Sequence, residues 1–347
     1  MMKDGELLGQ ISTHVDDFNM AGEKEFIEDM VEKISGELKV SKVEHGEFRF
    51  TGIDFRKTPD GIEMSMEDYA KSMEKIGAFR SRKDELLTML ETKVYRKYTG
   101  KLMWLAENCR PDLAYTALDM SKRASKATVK DLKKINKVID RVHGRESRVV
   151  YRKVADREDL KIFGMADAAY SKMERPIGGS LVMLGSKKTD TAVPLFWKSK
   201  TIQKTCKSTK DAETRGLSKN VMNATFLARM VETLLFRDHT GRIPVKVFSD
   251  SKPLLETLGS TKKIENTDLI PEIRYLKDKL MNDEVECYAW LRSEENLADI
   301  FTKDMKENQE VRDLFIWNKF KNGASQNNMV VKDGMELKMV NPVNRDD

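Results

Sequence analysis

Between residues 158 and 201 three strand-like runs follow one another directly, "DLKIFGMADAAYS", "GGSLVMLG" and "AVPLFWKSK", separated by Gly, Pro and charged turns. Such a succession predicts a meander. A long helical stretch comes next, "KDAETRGLSKNVMNATFLARMVETLLF", whose Leu217, Val221, Leu227, Met230 and Leu234 define one apolar face. It is followed by a strand "PVKVFSD", helices "SKPLLETL" and "IPEIRYLKDKLM", a strand "EVECYAWLR" and a helical segment beginning near "EENLADIFTK". The element order over 158–305 is therefore βββαβααβα, an α/β pattern.

The remainder reads differently. Residues 1–64 suggest a small α+β piece: strand, turn, strand, then the amphipathic "EKEFIEDMVEKISGEL" with Phe26, Met30 and Ile34 at fourfold spacing, then the alternating "EFRFTGIDF". Residues 65–157 are mostly helical in pattern, with Pro111 placed to begin a new helix. After about residue 306 regular periodicity is lost, and the tail to 347 is expected to be partly disordered.

Charge divides the chain along the same lines. Residues 69–157 carry 23 Lys/Arg against 11 Asp/Glu, a balance of +12, whereas the whole chain is +5 and everything outside this segment sums to −7. A basic segment of this size suits a polyanion such as nucleic acid, because each phosphate neutralised releases condensed counterions; a solvated helix surface is the plainer alternative. No apolar run reaches the length of a membrane span, and "MMKDGELLGQ" does not read as a signal peptide. Cys109, Cys206 and Cys287 are odd in number and far apart, which points to a reducing compartment with neither a disulfide framework nor zinc. Trp104, Trp197 and Trp290 fall in apolar runs and are expected in the core. Of the four histidines (His14, His45, His143 and His239) none lies between Asp250 and Asp299.

Four acids occupy telling places: Asp167 late in the first strand, Glu213 in the first turn of the long helix, Asp250 at the end of "VFSD" and Asp299 in "ENLADIFTK". Carboxylates converging from different elements are what two neighbouring hard divalent cations require. Singly, each has an ordinary explanation: Asp250 as a helix cap, Glu213 as a helix N-terminal charge, Asp299 as a surface residue.

In combination, the acids in the order Asp, Glu, Asp, Asp on βββαβααβα resemble the ribonuclease H domain of copia-type LTR retrotransposons. The local motifs "ADAAYS", "RPIGGSLVML", "FWKSK", "STKDAE", "SDSKPLLETL" and "LADIFTK" carry the resemblance across 158–305. It extends upstream, where "HVDDF" looks like the aromatic-Val-Asp-Asp turn of a reverse transcriptase palm, followed by "FRFTGIDF", "DGIEMSMEDYAKSM" and "YRKYTGKLMWLAENCRPDLAYTALDMSK". The resemblance implies four parts: a partial palm over 1–64, a basic thumb or connection segment over 65–157, a ribonuclease H-like domain with a mixed five-stranded sheet over 158–305, and the tail 306–347. It implies a metal-dependent endonuclease cutting the RNA strand of RNA/DNA hybrids. Asp167, Glu213, Asp250 and Asp299 would bind Mg²⁺, with Mn²⁺ as the alternative, and Asp16 and Asp17 would be remnant polymerase metal ligands. His14 stands where the family usually has Tyr, and the third palm carboxylate and the fingers would lie before residue 1. Other parts of a retrotransposon polyprotein are the implied partners, in a cytoplasmic virus-like particle or the nucleus. Two rival readings use the same residues: an inactive nucleic-acid-binding remnant, and a polymerase part completed by a partner.

Overall fold

The computed structural model describes residues 2–3, 6–77, 79–236, 243–262, 264, 266–304, 309–320, 329–332 and 336–339. His239 and much of the tail lie outside these. Among the described residues no helix is long and apolar enough to cross a membrane.

At the N-terminus two short strands, β1 (Met2–Lys3) and β2 (Glu6–Leu7), pair with each other; β3 (Gly9–His14) and β4 (Asp17–Gly22) form an antiparallel hairpin. Helix α1 (Lys24–Glu37) follows and buries Phe26. The alternating stretch after it is a hairpin of β5 (Glu47–Phe50) and β6 (Ile53–Thr58), turned by Thr51 and Gly52 with φ of +51° and +81°. Two left-handed residues in a two-residue turn match the natural twist of paired strands. Next come β7 (Gly61–Ser65), α2 (Glu67–Lys71), α3 (Met89–Asn108), α4 (Ala114–Arg123) and α5 (Val129–His143). Reciprocal capping boxes, Thr88 with Glu91 and Thr128 with Asp131, start α3 and α5. Pro111 opens a 3₁₀ turn, Pro111–Leu113, that runs into α4. Strand β8 (Arg148–Arg152) then returns to pair with β7, so the segment expected to be helical also completes a four-stranded antiparallel sheet, β5-β6-β7-β8.

The second half is built on β9 (Leu160–Ala169), β10 (Ile177–Ser186), β11 (Ala192–Thr201), α6 (Thr209–Phe236), β12 (Val245–Ser249), α7 (Lys252–Leu258), α8 (Ile270–Met281) and β13 (Cys287–Trp290). The meander β9–β11 is antiparallel, and β12 and β13 run parallel to β9. After a single helical turn, α9 (Gln309–Arg312), β14 (Met329–Lys332) and β15 (Glu336–Met339) continue the sheet. Its order is β11-β10-β9-β12-β13-β14-β15, seven strands rather than the expected five. The added pair covers the edge of β13, whose backbone groups would otherwise lack partners, and Val330 and Val331 are buried. The stretch 309–320 is packed as well, with Val311, Leu314, Phe315, Ile316 and Phe320 in the core.

Alternation along β9 sorts its side chains between two cores. Ile162 and Ala166 pack with Leu217 and Val221 of α6 and with helices α7 and α8, whereas Phe163 and Met165 pack with the cluster that includes Leu105, Phe301 and Phe315. On α6 the buried face runs through Leu217, Val221, Ala224 and Ala228; Met230, assigned to that face from spacing, is 45% exposed. At about 100° per residue, Met230 lies roughly half a turn around the helix from Ala228 and so faces away from that buried stripe.

Candidate metal centre

Asp167 is buried near the end of β9, opposite Gly179 of β10. A Cβ at residue 179 would stand 2.6 Å from the Ala298 carbonyl oxygen, so glycine there admits the 3₁₀ segment Leu297–Phe301 onto β10 beside Asp167. Two side chains fasten that segment: Asn296 Nδ2 donates to the Ala166 carbonyl at 2.9 Å, and Thr302 Oγ1 donates to Asp167 Oδ2.

Glu213 lies one turn inside α6, where Asp211 is the first-turn acid. The helix start is held by Arg215, which bonds Asp211 at 2.7 Å and Glu272 of α8 at 2.9 Å. One turn beyond, Asn220 Nδ2 donates to the Met165 and Leu181 carbonyls and to Ser180 Oγ, tying α6 to β9 and β10. The Glu213 carboxylate itself accepts from the Ala168 backbone.

Asp250 follows β12, which is parallel to β9, so both strands deliver an acid to the same end of the sheet. It is not a helix cap: Ser251 holds the cap position of α7 and makes no side-chain capping bond. The Asp250 carboxylate accepts from Ser293 Oγ at 2.6 Å and its carbonyl from Trp290 Nε1 at 3.0 Å.

Asp167, Glu213 and Asp250 each offer a carboxylate oxygen within 4.8 Å of the others, the one group of at least three potential metal ligands among the described residues. Burial, followed by repulsion from Asp167 and Asp250, pushes Glu213 up to about 9; burial and the charge of Asp299 push Asp167 up to about 6. Burial and like charges outweigh what Thr302 and Lys303 offer Asp167, which is the sense of shift expected of crowded buried carboxylates. Asp299 stands beside this group rather than within it. Its Oδ2 pairs with Lys303 Nζ at 2.8 Å, while its buried Oδ1 has no hydrogen-bond partner. An all-oxygen, like-charged donor set, buried at Asp167 and Glu213 and half-buried at Asp250, with an orphaned carboxylate oxygen alongside, fits a hard divalent cation.

No family model and no curated protein matches the chain. Among solved structures it is similar to ribonuclease H domains. One is the N-terminal RNase H domain of Mycobacterium tuberculosis rv2228c, solved as a fusion with maltose-binding protein: 20% identity over 42% of this chain and 92% of that one, with a TM-score of 0.33. Another is LC11-RNase H1 in complex with an RNA/DNA hybrid: 17% identity over 40% and 91%, TM-score 0.30. The same compost-derived LC11-RNase H1 in a further structure gives 17%, 42% and 92%, TM-score 0.30.

Asp16 and Asp17 sit at the exposed β3–β4 turn, next to Val15 at φ +56°, and belong to no carboxylate cluster among the described residues. Of the tryptophans expected in the core, Trp197 is buried with Nε1 on the Ala106 carbonyl, Trp290 braces Asp250, and Trp104 is 40% exposed. Thr302, Lys303, Ser293 and Asn296 escape a reading of the sequence that looks for acids. The available signal was the spacing of Thr302 and Lys303 three and four residues after Asp299 on a helical segment.

Proposed function

We propose that the chain is a divalent-metal-dependent endonuclease that cleaves the RNA strand of RNA/DNA hybrids. The single observation carrying this reading is the convergence of Asp167, Glu213 and Asp250 at one end of a mixed sheet. The strand order β11-β10-β9-β12-β13, an antiparallel meander continued by two parallel strands, supports a ribonuclease H-like domain over 158–305, extended by β14 and β15.

Asp167, Glu213 and Asp250 would hold one Mg²⁺ or Mn²⁺, and Asp167 with Asp299 a second. Such ions, when bound, make water acidic enough to attack phosphorus and steady charge on the leaving oxygen. The chain's own residues do the positioning. Thr302 orients Asp167, Ser293 orients Asp250, and Lys303 sets a positive charge beside Asp299. Products would carry 5′ phosphates. Lys93, Lys97, Lys126, Lys130 and Lys137, all exposed, supply phosphate contacts from the 65–157 segment. That segment adjoins the site: Lys122 of α4 pairs with Glu174, between β9 and β10, at 2.8 Å, and Arg141 of α5 with Asp304 at 3.3 Å.

The wider reading is a fragment of a copia-type Pol polyprotein, with residues 1–64 a palm remnant and 65–157 its thumb or connection. The test is cleavage of an end-labelled RNA/DNA hybrid by the purified chain, with Mg²⁺ and with EDTA. Mg²⁺-dependent loss of the RNA strand, with RNA and DNA duplexes untouched, is expected; an intact hybrid at every Mg²⁺ and Mn²⁺ concentration overturns the proposal.

A further inference from the structure

The four acids of the metal centre differ in what already stands against them. Thr302 Oγ1, the Ala168 backbone and Ser293 Oγ, all uncharged, donate to Asp167, Glu213 and Asp250 respectively. Asp299 is the one acid of the four that is ion-paired among the described residues: Lys303 Nζ lies 2.8 Å from its Oδ2. Its other oxygen, Oδ1, is buried and has no hydrogen-bond partner. A cation arriving from solvent therefore meets Asp299 at Oδ2, where the ammonium already sits. Lys252 sets up no such block at Asp250, because its Nζ lies 4.3 Å from the centroid of the Trp290 ring.

The backbone keeps Lys303 within reach of this position. Its N–H donates to the Asp299 carbonyl at 3.2 Å, so the side chain starts one turn beyond the acid. Burial opposes the ammonium, but the bond to Asp299 and the charges of Asp167, Asp299 and Asp250 outweigh it and raise the pKa of Lys303 above its ordinary value. The pair is still easy to open. The Lys303 side chain is 51% exposed, against 13% for Asp299, and an i,i+4 ion pair with a solvated ammonium contributes little to stability. An ammonium and a divalent ion on one carboxylate oxygen repel each other, so the two compete for it. Resting on the metal-dependent reading above, we propose that Lys303 is the resident cation of the second ion's position: the substrate-free chain holds one divalent ion, at Asp167, Glu213 and Asp250, and an ion on Asp299 must first displace the Lys303 ammonium. Lys303 is thus a positioning residue that sets how many ions the centre holds.

The test counts Mn²⁺ on the whole, substrate-free chain by equilibrium dialysis and reads ion proximity by electron paramagnetic resonance, in which ions about 4 Å apart couple. The wild-type chain should bind one Mn²⁺, with an uncoupled spectrum, at concentrations that saturate the first site. Lys303→Gln should bind a second, coupled Mn²⁺ about tenfold more tightly than the wild type does, or better. Lys303→Arg should keep the count at one, and adding Asp299→Asn to Lys303→Gln should remove the second ion while leaving the first. Circular dichroism certifies that each variant is folded, and the wild-type count decides should a variant unfold. Two coupled ions on the wild-type chain where the first site fills, or an unchanged second-ion affinity in folded Lys303→Gln, would overturn the role of Lys303 and leave the metal centre standing. Absence of bound Mn²⁺, or binding that Asp167→Asn does not weaken, would overturn the metal centre itself and the inference with it.

Discussion

Thr302 donates its hydroxyl hydrogen to the buried carboxylate of Asp167, joining the end of the last 3₁₀ segment to the first strand of the sheet across 135 residues of sequence. With Asn296 on the Ala166 carbonyl, this bond makes the orientation of Asp167 depend on the segment that also carries Asp299.

Thr302→Val keeps the shape and removes the hydroxyl. Loss of a hydrogen bond to a buried carboxylate should lower stability at pH 8 by about 1.5–3 kcal/mol. Mg²⁺ affinity, read by calorimetry, should fall roughly 10- to 100-fold, as for other residues that orient a metal ligand. Wild-type Mg²⁺ affinity in this variant would remove Thr302 from the site.

Asp167→Asn should abolish hybrid cleavage and the Mg²⁺-induced rise in melting temperature while leaving the metal-free melting temperature unchanged or higher. The reason is that one of several crowded buried charges disappears. A large loss of metal-free stability would instead make Asp167 a structural residue.

The shifted carboxylates also set a pH dependence. Glu213 is raised from 4.5 to about 9 and Asp167 from 3.8 to about 6, so both favour the proton in the folded chain. Their contribution to stability is complete below the unfolded values and is lost as pH rises, through about 6 for Asp167 and about 9 for Glu213. Metal-free melting temperature should therefore decline over this range, and Glu213→Gln should flatten the decline. Because cations replace those protons, the increment produced by Mg²⁺ should be larger near pH 8.5 than near pH 5.5. An increment independent of pH would contradict the arrangement.

Gly179→Ala brings a methyl group to 2.6 Å from the Ala298 carbonyl oxygen and 2.9 Å from Phe301 Cβ. Overpacking of this kind costs about 1–3 kcal/mol, and the displaced segment carries Asp299 and Thr302. Chemical denaturation should show the loss, accompanied by weakened Mg²⁺ binding. A variant as stable as the parent would mean that the segment is free to shift.

Lys93, Lys97 and Lys101 recur every fourth residue on α3, with no salt-bridge partner among the described residues. Replacing all three by Gln should reduce the slope of log affinity for a hybrid against log salt by about two to three units, without changing the melting temperature. An unaltered slope would return the stripe to a solvated helix face.

Local patterns in the sequence determined the elements of the second half. Alternation and turn residues marked β9 to β11, the 3.6-residue period marked α6, and the ends of β9 and β12 and the start of α6 were legible as positions for Asp167, Asp250 and Glu213. What no local pattern could carry was which edges need covering and which charges find partners. β8 completes a sheet begun about 100 residues earlier at β5, β14 and β15 add two strands from a stretch without periodicity, and Lys303 draws one oxygen of Asp299 into an ion pair beside the other three acids. Those outcomes depend on unpaired backbone edges and uncompensated charges that exist only once the chain has folded, so the tertiary structure alone decided them.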